Sequence, residues 1–317
     1  MDRKKISITA SCYNEEGNLQ EFYDRCRKTL ESFPQYDYEF VVADNCSEDN
    51  SRAVLRSIAE KDPNFKVIFN SRNFGHIRSP YNAFLAASGD AVITLCSDLQ
   101  EPPEIIADFI RKWEEGYPVV VGVRKATRNG FFMESIRKIY YFLLNRFSQD
   151  GDLVRNFTGF GLYDRCFMDA LKKYHEPYPY FRGLVSEIGF RRAEIPFVQD
   201  RRKSGKTKNN LFTLYDMALT GFVNHTKLPL RMTVFFGFIL AVISFIIALV
   251  YLIGKLLYWQ SFELGLAPMM VGLFFFAGVQ LICLGIIGEY VGAIWTQVKD
   301  KPLVIEEERI NFGTPEK

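Results

Sequence analysis

Ala91-Val92-Ile93-Thr94-Leu95-Cys96-Ser97-Asp98-Leu99-Gln100-Glu101-Pro102-Pro103-Glu104 is the stretch whose reading decides the fold. Its first five residues are an apolar run rich in β-branched side chains, and the run gives way to a lone carboxylate, Asp98. A second acid follows, then a proline pair suited to the first turn of a helix, where a missing N–H costs nothing. The pattern reads as the end of a buried strand that places Asp98 at the carboxyl edge of a sheet. Open α/β sheets bind their ligands at that edge.

The same order of strand, polar loop and helix recurs on the N-terminal side. Residues 6–10 alternate as a strand and run into Tyr13-Asn14-Glu15-Glu16-Gly17-Asn18. Asn14 or Asn18 suits the cap of a helix reaching about residue 33, with Leu19, Phe22, Tyr23, Cys26 and Leu30 at helical spacing. A second strand over 38–43 ends in Asp44-Asn45-Cys46-Ser47-Glu48-Asp49 and a helix through 59. A third strand over 65–69 leads to a turn at Asn73-Phe74-Gly75, followed by His76 and a helix ending near 88–90. Beyond the quoted stretch come a helix over 103–115 and a fifth strand over 119–123. Such alternation implies right-handed crossovers and a mostly parallel sheet with helices on both faces.

Further on the rhythm loosens. Residues 131–147 predict a helix rich in large apolar side chains and dotted with Arg137, Lys138 and Arg146. Two readings stand for it: an amphipathic helix packed on the sheet, or one lying on a membrane surface with its cations at the headgroups. A strand over 156–163, helices over 164–174 and 181–188 and a strand over 193–197 follow. Then come a dense basic run, Arg201-Arg202-Lys203-Ser204-Gly205-Lys206-Thr207-Lys208, and a second interfacial helix near 212–224.

Composition changes sharply after residue 228. Residues 232–254 carry no charge, and neither do 264–288. Each run exceeds the ~20 apolar residues a helix needs to cross a bilayer. The bland alternative is a hydrophobic hairpin buried in a large soluble core. Aromatic flanks at Tyr258, Trp259, Tyr290 and Trp295 favour the membrane. Lys227 and Arg231 precede the first run, Lys299 and Lys301 follow the second, and the connection over 255–263 has one lysine. That bias places both ends, and the large domain, in the cytoplasm. The expected organisation is a cytoplasmic domain over 1–228, two transmembrane helices over 229–298 and a cytoplasmic tail over 299–317. The first residues run straight into a strand without a secretory apolar region, so no cleavable signal is expected. A net charge of +2 gives no global field for nucleic acid. Six cysteines without C-x-x-C spacing read as reduced thiols of a cytosol-facing protein. Small residues in the spans (Gly237, Ala241, Gly272, Gly278) suit helix packing within the hairpin or in a homo-oligomer.

The chemistry follows from where the loops fall. Asp98, with Gln100 two positions on, suits a hard divalent cation held by one or two carboxylates and substrate phosphates; the plain alternative for a single loop Asp is a helix cap. Asp44, just after a strand, suits the N–H of a nucleobase, and Tyr13 offers a face for stacking.

These motifs together resemble a known family. Tyr13-Asn14-Glu15-Glu16, Asp44-Asn45-x-Ser47-x-Asp49, Asn73-Phe74-Gly75 and Ser97-Asp98-Leu99-Gln100-Glu101-Pro102-Pro103-Glu104 are similar to family 2 of the inverting glycosyltransferases. Phe181-Arg182-Gly183-Leu184, Ile188-Gly189-Phe190, Arg202-x-x-Gly205-x-Thr207-Lys208 and Gly288-Glu289-Tyr290-Val291-Gly292 resemble its polyprenyl-phosphate branch, which includes dolichyl-phosphate mannose synthase and the bactoprenol glucosyltransferases. The resemblance implies an α/β, Rossmann-like nucleotide-sugar-binding domain of the GT-A type. It implies transfer of one sugar from a nucleotide sugar, UDP-linked by preference, to polyprenyl (undecaprenyl) phosphate at the cytoplasmic face of a bacterial inner membrane. Carried over, Tyr13, Glu15 and Asp44 contact the nucleotide, while Asp98 and Gln100 hold Mg2+ or Mn2+ and the diphosphate. Arg124 and Arg137 face the acceptor phosphate, and Arg202 and Lys208 belong to a loop that closes over the donor.

Two positions depart from the pattern. Cys96 stands where relatives commonly have an Asp, which removes a charge from the metal site. Gly159-Phe160-Gly161-Leu162 replaces an Asp-Phe-Arg-Leu segment. An acceptor phosphate has a second pKa of about 6 and needs no general base, so the chemistry survives the second loss. The competing functional expectations are a processive polysaccharide synthase and a catalytically weak nucleotide-sugar-binding membrane protein.

Overall fold

The structure is a computed structural model and describes residues 3–125, 154, 156–174, 176, 179–199, 228–257, 266–299 and 301–313. The two helices expected near 131–147 and 212–224 lie outside the described residues, as do Arg137, Arg202 and Lys208.

Strand and helix alternate as expected through β1 (Lys5–Cys12), α1 (Leu19–Leu30), β2 (Asp37–Asp44), α2 (Ser51–Lys61), β3 (Phe65–Asn70), α3 (Gly75–Leu85), β4 (Ala91–Thr94), α4 (Ile106–Glu114) and β5 (Val119–Arg124). Pro103–Ile105 makes a short 3-10 turn that feeds α4. Next come β6 (Phe157–Asp164), α5 (Arg165–Leu171), α6 (Phe181–Ile188) and β7 (Arg192–Phe197). Two long helices, α7 (Leu228–Leu257) and α8 (Leu266–Val298), precede a last strand, β8 (Glu306–Ile310).

All eight strands form one sheet in the order β7-β5-β6-β4-β1-β2-β3-β8. Strands β1 to β5 and β7 run parallel, and β6 and β8 are antiparallel insertions. The strand order reverses around β1, which lies between β2 and β4 and so opens a crevice at the carboxyl edge.

Alternation along the strands builds a core on each face. Ile6, Ile8, Phe40, Val42, Phe65 and Ile93 pack one face under α1 and α4. Val41, Ala43, Val92 and Tyr163 pack the other under α3, α5 and α6. Close approach fixes one β6 position: a Cβ on Gly161 would stand 2.4 Å from the Val120 carbonyl oxygen of the neighbouring strand.

The two long helices form a separate unit. Pro229–Ile247 and Gly272–Val298 are long and apolar enough to cross a membrane, with mean hydropathy 2.4 and 1.8. Their aromatic and aliphatic side chains lie exposed, among them Phe235, Phe238, Phe245, Phe274 and Leu281. That exposure is opposite to what a hairpin buried in a soluble core would have.

The expected tail over 299–317 contains a strand that the sequence reading does not anticipate. Residues 306–310 pair antiparallel with β3, placing Ile310 opposite Val67 and Glu308 opposite Phe69. Glu306-Glu307-Glu308-Arg309 reads as a solvated charge run, and its strand character comes from an available sheet edge rather than from β propensity. None of the six cysteines forms a disulfide.

Candidate active site

The carboxyl edge is built from loops that hold one another. After β1, the N–H of Asn14 donates to Ser47 Oγ at 2.9 Å and that of Glu15 to Ser51 Oγ at 2.9 Å. In return, the N–H of Glu48 donates to Asn14 Oδ1 at 2.8 Å and that of Asn50 to Glu16 Oε2 at 2.9 Å. The loop after β3 joins through buried Asn45. Its Oδ1 accepts from the Phe74 N–H at 2.9 Å, and its Nδ2 donates to Asn73 Oδ1 at 2.9 Å. These polar residues therefore satisfy backbone groups that the turning chain would otherwise leave unpaired.

The same edge concentrates backbone strain. Asn14, Cys46, Leu99 and Asn156 have φ of 58°, 63°, 59° and 57°. Left-handed conformations cost about 1–2 kcal/mol for a residue with a Cβ, and they persist where surrounding bonds dictate them. Leu99 is the least expected of the four, because a buried γ-branched side chain gains nothing locally from that conformation. The turn it makes sets Asp98 and Gln100 in place, and the Gln100 N–H donates to Asp98 Oδ1 at 3.2 Å.

Asp98 is nearly buried, at 7 % exposure, beyond the end of β4. Glu101, three residues on, turns inward: it accepts from the Cys96 N–H at 2.9 Å and from Thr158 Oγ1 of β6 at 2.9 Å. Burial pushes the Glu101 carboxyl up to about 7 against those two hydrogen bonds, and the neighbouring Asp98 charge adds to the rise. Among the described residues no cluster of three or more metal-type side chains occurs. Asp98 could contribute a single carboxylate to a divalent cation whose other ligands were substrate phosphate oxygens, a common arrangement for magnesium.

Asp44 has no exposed surface. Its Oδ2 accepts from Arg52 Nε at 2.9 Å and from the Ser47 N–H at 3.2 Å, and its Oδ1 lies 3.3 Å from the same N–H and accepts from Cys12 Sγ at 3.8 Å. Tyr13 and Glu15 are half-buried at the end of β1, and the Glu15 carboxylate accepts from Asn18 Nδ2 at the start of α1. Burial, and then the Arg182 charge, push the His76 imidazole below its usual range. Arg124 ends β5 at this same edge, its guanidinium donating to Gln199 just past β7.

The edge thus brings together Tyr13, Glu15, Asp44, Asp98, Gln100 and Arg124. It adds Asn45, Arg52, Thr158 and Gln199, to which the sequence assigned no role, and Glu101, the second acid of the quoted stretch. Gly159 explains one departure: its φ of +103° is a conformation that a side-chain-bearing residue adopts only under strain.

A sheet with a ligand crevice at its switch point, followed by two apolar helices, defines a membrane-associated α/β domain of GT-A type. Residues 7–172 match Glycosyl transferase family 2, and the chain belongs to that family. It is 34% identical over 302 residues to the uncharacterised glycosyltransferase YkcC of Bacillus subtilis, covering 95% of this chain and 93% of the relative. It is 31% identical to the SfII prophage-derived bactoprenol glucosyl transferase of Shigella flexneri, over 95% of this chain and 97% of the relative. Among solved structures, the mannosyltransferase PcManGT of Pyrobaculum calidifontis, in complex with GDP-Man and Mn2+, aligns with a TM-score of 0.46 at 14% identity, covering 95% of this chain and 89% of that one.

Proposed function

We propose that this glycosyltransferase moves one sugar from a nucleotide sugar, UDP-linked, to undecaprenyl phosphate at the cytoplasmic face of a bacterial inner membrane. The product is a polyprenyl-phosphate sugar for surface polysaccharide or protein glycosylation. The observation that carries this reading is the extent of the match to a bactoprenol glucosyl transferase, 95% of this chain against 97% of that one. Correspondence on that scale runs past the α/β domain and through both apolar helices.

The site suits a single in-line displacement with inversion. The acceptor phosphate is already anionic at cytosolic pH, so positioning and charge compensation replace proton abstraction. Asn45 and the Ser47 and Ser51 hydroxyls fix the loops that seat the nucleotide, while Tyr13 and Asp44 face its base. Asp98, aided by Gln100, would hold a divalent cation, Mg2+ or Mn2+, and that cation would supply positive charge at the diphosphate end. Glu101 ties the Asp98 loop to β6. Arg124, steadied by Gln199, and Arg137 take the acceptor phosphate, and Arg202 and Lys208 take the donor phosphates.

Membranes carrying the protein, given labelled nucleotide sugars and undecaprenyl phosphate, test the reading. A single-sugar lipid of inverted anomeric configuration by NMR is expected. A polymer would point to a processive synthase, binding without turnover to a nucleotide-sugar-binding protein, and a retained configuration would overturn the displacement.

A further inference from the structure

Strand β8 does more than cover an edge. Arg52, in the first turn of α2, spends one guanidinium on three acceptors. Its Nε donates to Asp44 Oδ2 at 2.9 Å, and its Nη2 donates to the Asn70 carbonyl at 3.0 Å and to Glu307 Oε2 of β8 at 3.0 Å. The same group lies over the Phe69 ring at 5.2 Å. One planar cation thus joins a buried carboxylate at the base end of the site to a strand more than 250 residues further along the chain.

We infer that Arg52 and Glu307 are positioning residues for nucleotide recognition: β8 sets the Arg52 guanidinium, and Arg52 holds the Asp44 carboxylate in the orientation in which it meets the base. The inference rests on the proposed contact between Asp44 and the base. Geometry separates this role from docking of the strand. Docking is carried by the ladder to β3, by Asn311 Nδ2 on the carbonyls of Ala59 and Phe65 at 2.8 and 2.9 Å, and by Asn82 Nδ2 on Glu306 at 2.7 Å. Glu307 itself is half-exposed, and an exposed ion pair adds little to stability. Its neighbour Glu308 makes a two-pronged pair with Arg56, one helical turn further along and away from Asp44. The two glutamates are therefore matched in exposure and in the kind of partner, and they differ in whether that partner touches Asp44.

The test uses the full chain in detergent. The nucleoside diphosphate that binds wild type best, from a panel of UDP, GDP, CDP, ADP and dTDP, is compared by calorimetry with inorganic pyrophosphate, which has no base. Glu307→Gln is expected to weaken the nucleotide about threefold to fivefold, the reach of an exposed ion pair, and to leave pyrophosphate unchanged. Arg52→Lys keeps the charge but cannot span both carboxylates, and on the order of tenfold is expected. In turnover these losses fall on the donor KM and not on kcat. Glu308→Gln should match wild type. Equal losses in Glu307→Gln and Glu308→Gln, or losses shared by pyrophosphate, would reduce β8 to a structural strand and overturn the inference. Wild-type behaviour of Glu307→Gln beside a weakened Asp44→Asn overturns the coupling alone. An Asp44→Asn protein with unchanged nucleotide affinity overturns the base contact and the coupling with it.

Discussion

At the scale of single residues, the chemistry turns on how few charges the site contains. Asp98 has Cys96 two positions before it and Glu101 three after it, and Glu101 is committed to the Cys96 N–H and to Thr158. On the proposed function, Asp98 is the carboxylate left to face the cation and the diphosphate. Asp98→Asn keeps the shape and removes the charge, so turnover should fall roughly 100-fold, and near-normal turnover would remove Asp98 from the site. Cys96→Asp adds an oxygen ligand where a thiol now stands; calorimetric titration with Mn2+ should show about tenfold tighter binding, and an unmoved isotherm would count against a cation there. At the opposite end of the sheet, Glu39 is also buried, for structure rather than chemistry. Burial alone would raise its pKa. The Lys66 ammonium at 2.6 Å and hydrogen bonds from Ser7 at 2.6 Å and Ser88 at 2.6 and 2.8 Å outweigh it and bring the carboxyl down to about 2. A depressed folded pKa stabilises above the unfolded value of 4.5, and that stability fades as pH falls from there toward 2. Urea unfolding at stepped pH should show wild type losing about 2–3 kcal/mol more over this interval than Glu39→Gln, and parallel curves would contradict it.

At the scale of elements, two glycines of β6 carry structural consequences. Gly161 faces the Val120 carbonyl with no room for a methyl group, and Gly159 holds its left-handed turn beside Phe181. Gly161→Ala should cost about 2–3 kcal/mol and lower the thermal midpoint by roughly 5–10 °C, whereas an unchanged melt would mean that β5 yields freely. The five alternating strands and their helices were legible because period and loop chemistry agree along 5–125. Asp44 and Asp98 were legible because each interrupts an apolar run at a strand end. Arg52 was not: on a helix it looks like any solvated cation, and its partners lie in β2, β3 and β8. Glu101 was legible only as a second acid after Asp98; its inward turn depends on Thr158, which chain folding alone brings near. The strand β8 was hidden for the reason given by its composition, since a run of three glutamates has no β propensity and pairs because an edge is open to it.

At the scale of the whole molecule, β8 constrains how the chain meets a bilayer. The strands β1 to β7 precede α7, β8 follows α8, and all belong to one sheet. A chain that leaves a domain, passes through two apolar helices and returns to hydrogen-bond with β3 must come back to the side it left. Helices of 30 and 33 residues are about 45 and 50 Å long, enough for a ~30 Å hydrocarbon core with some tilt. If the helices cross, two complete crossings satisfy the sheet and a single crossing does not, a constraint independent of the lysine and arginine bias from which the ends are expected in the cytoplasm. In a cysteine-free background, an impermeant thiol reagent added to intact cells should therefore label Ser261→Cys in the connection between the helices. Gly313→Cys, just beyond β8, should react only after the membrane is opened. Labelling of both positions from outside would break the pairing of β8 with β3 or the crossing of one helix. A nucleotide-affinity measurement on the same Gly313→Cys protein separates these, because loss of β8 also removes Glu307 from Arg52.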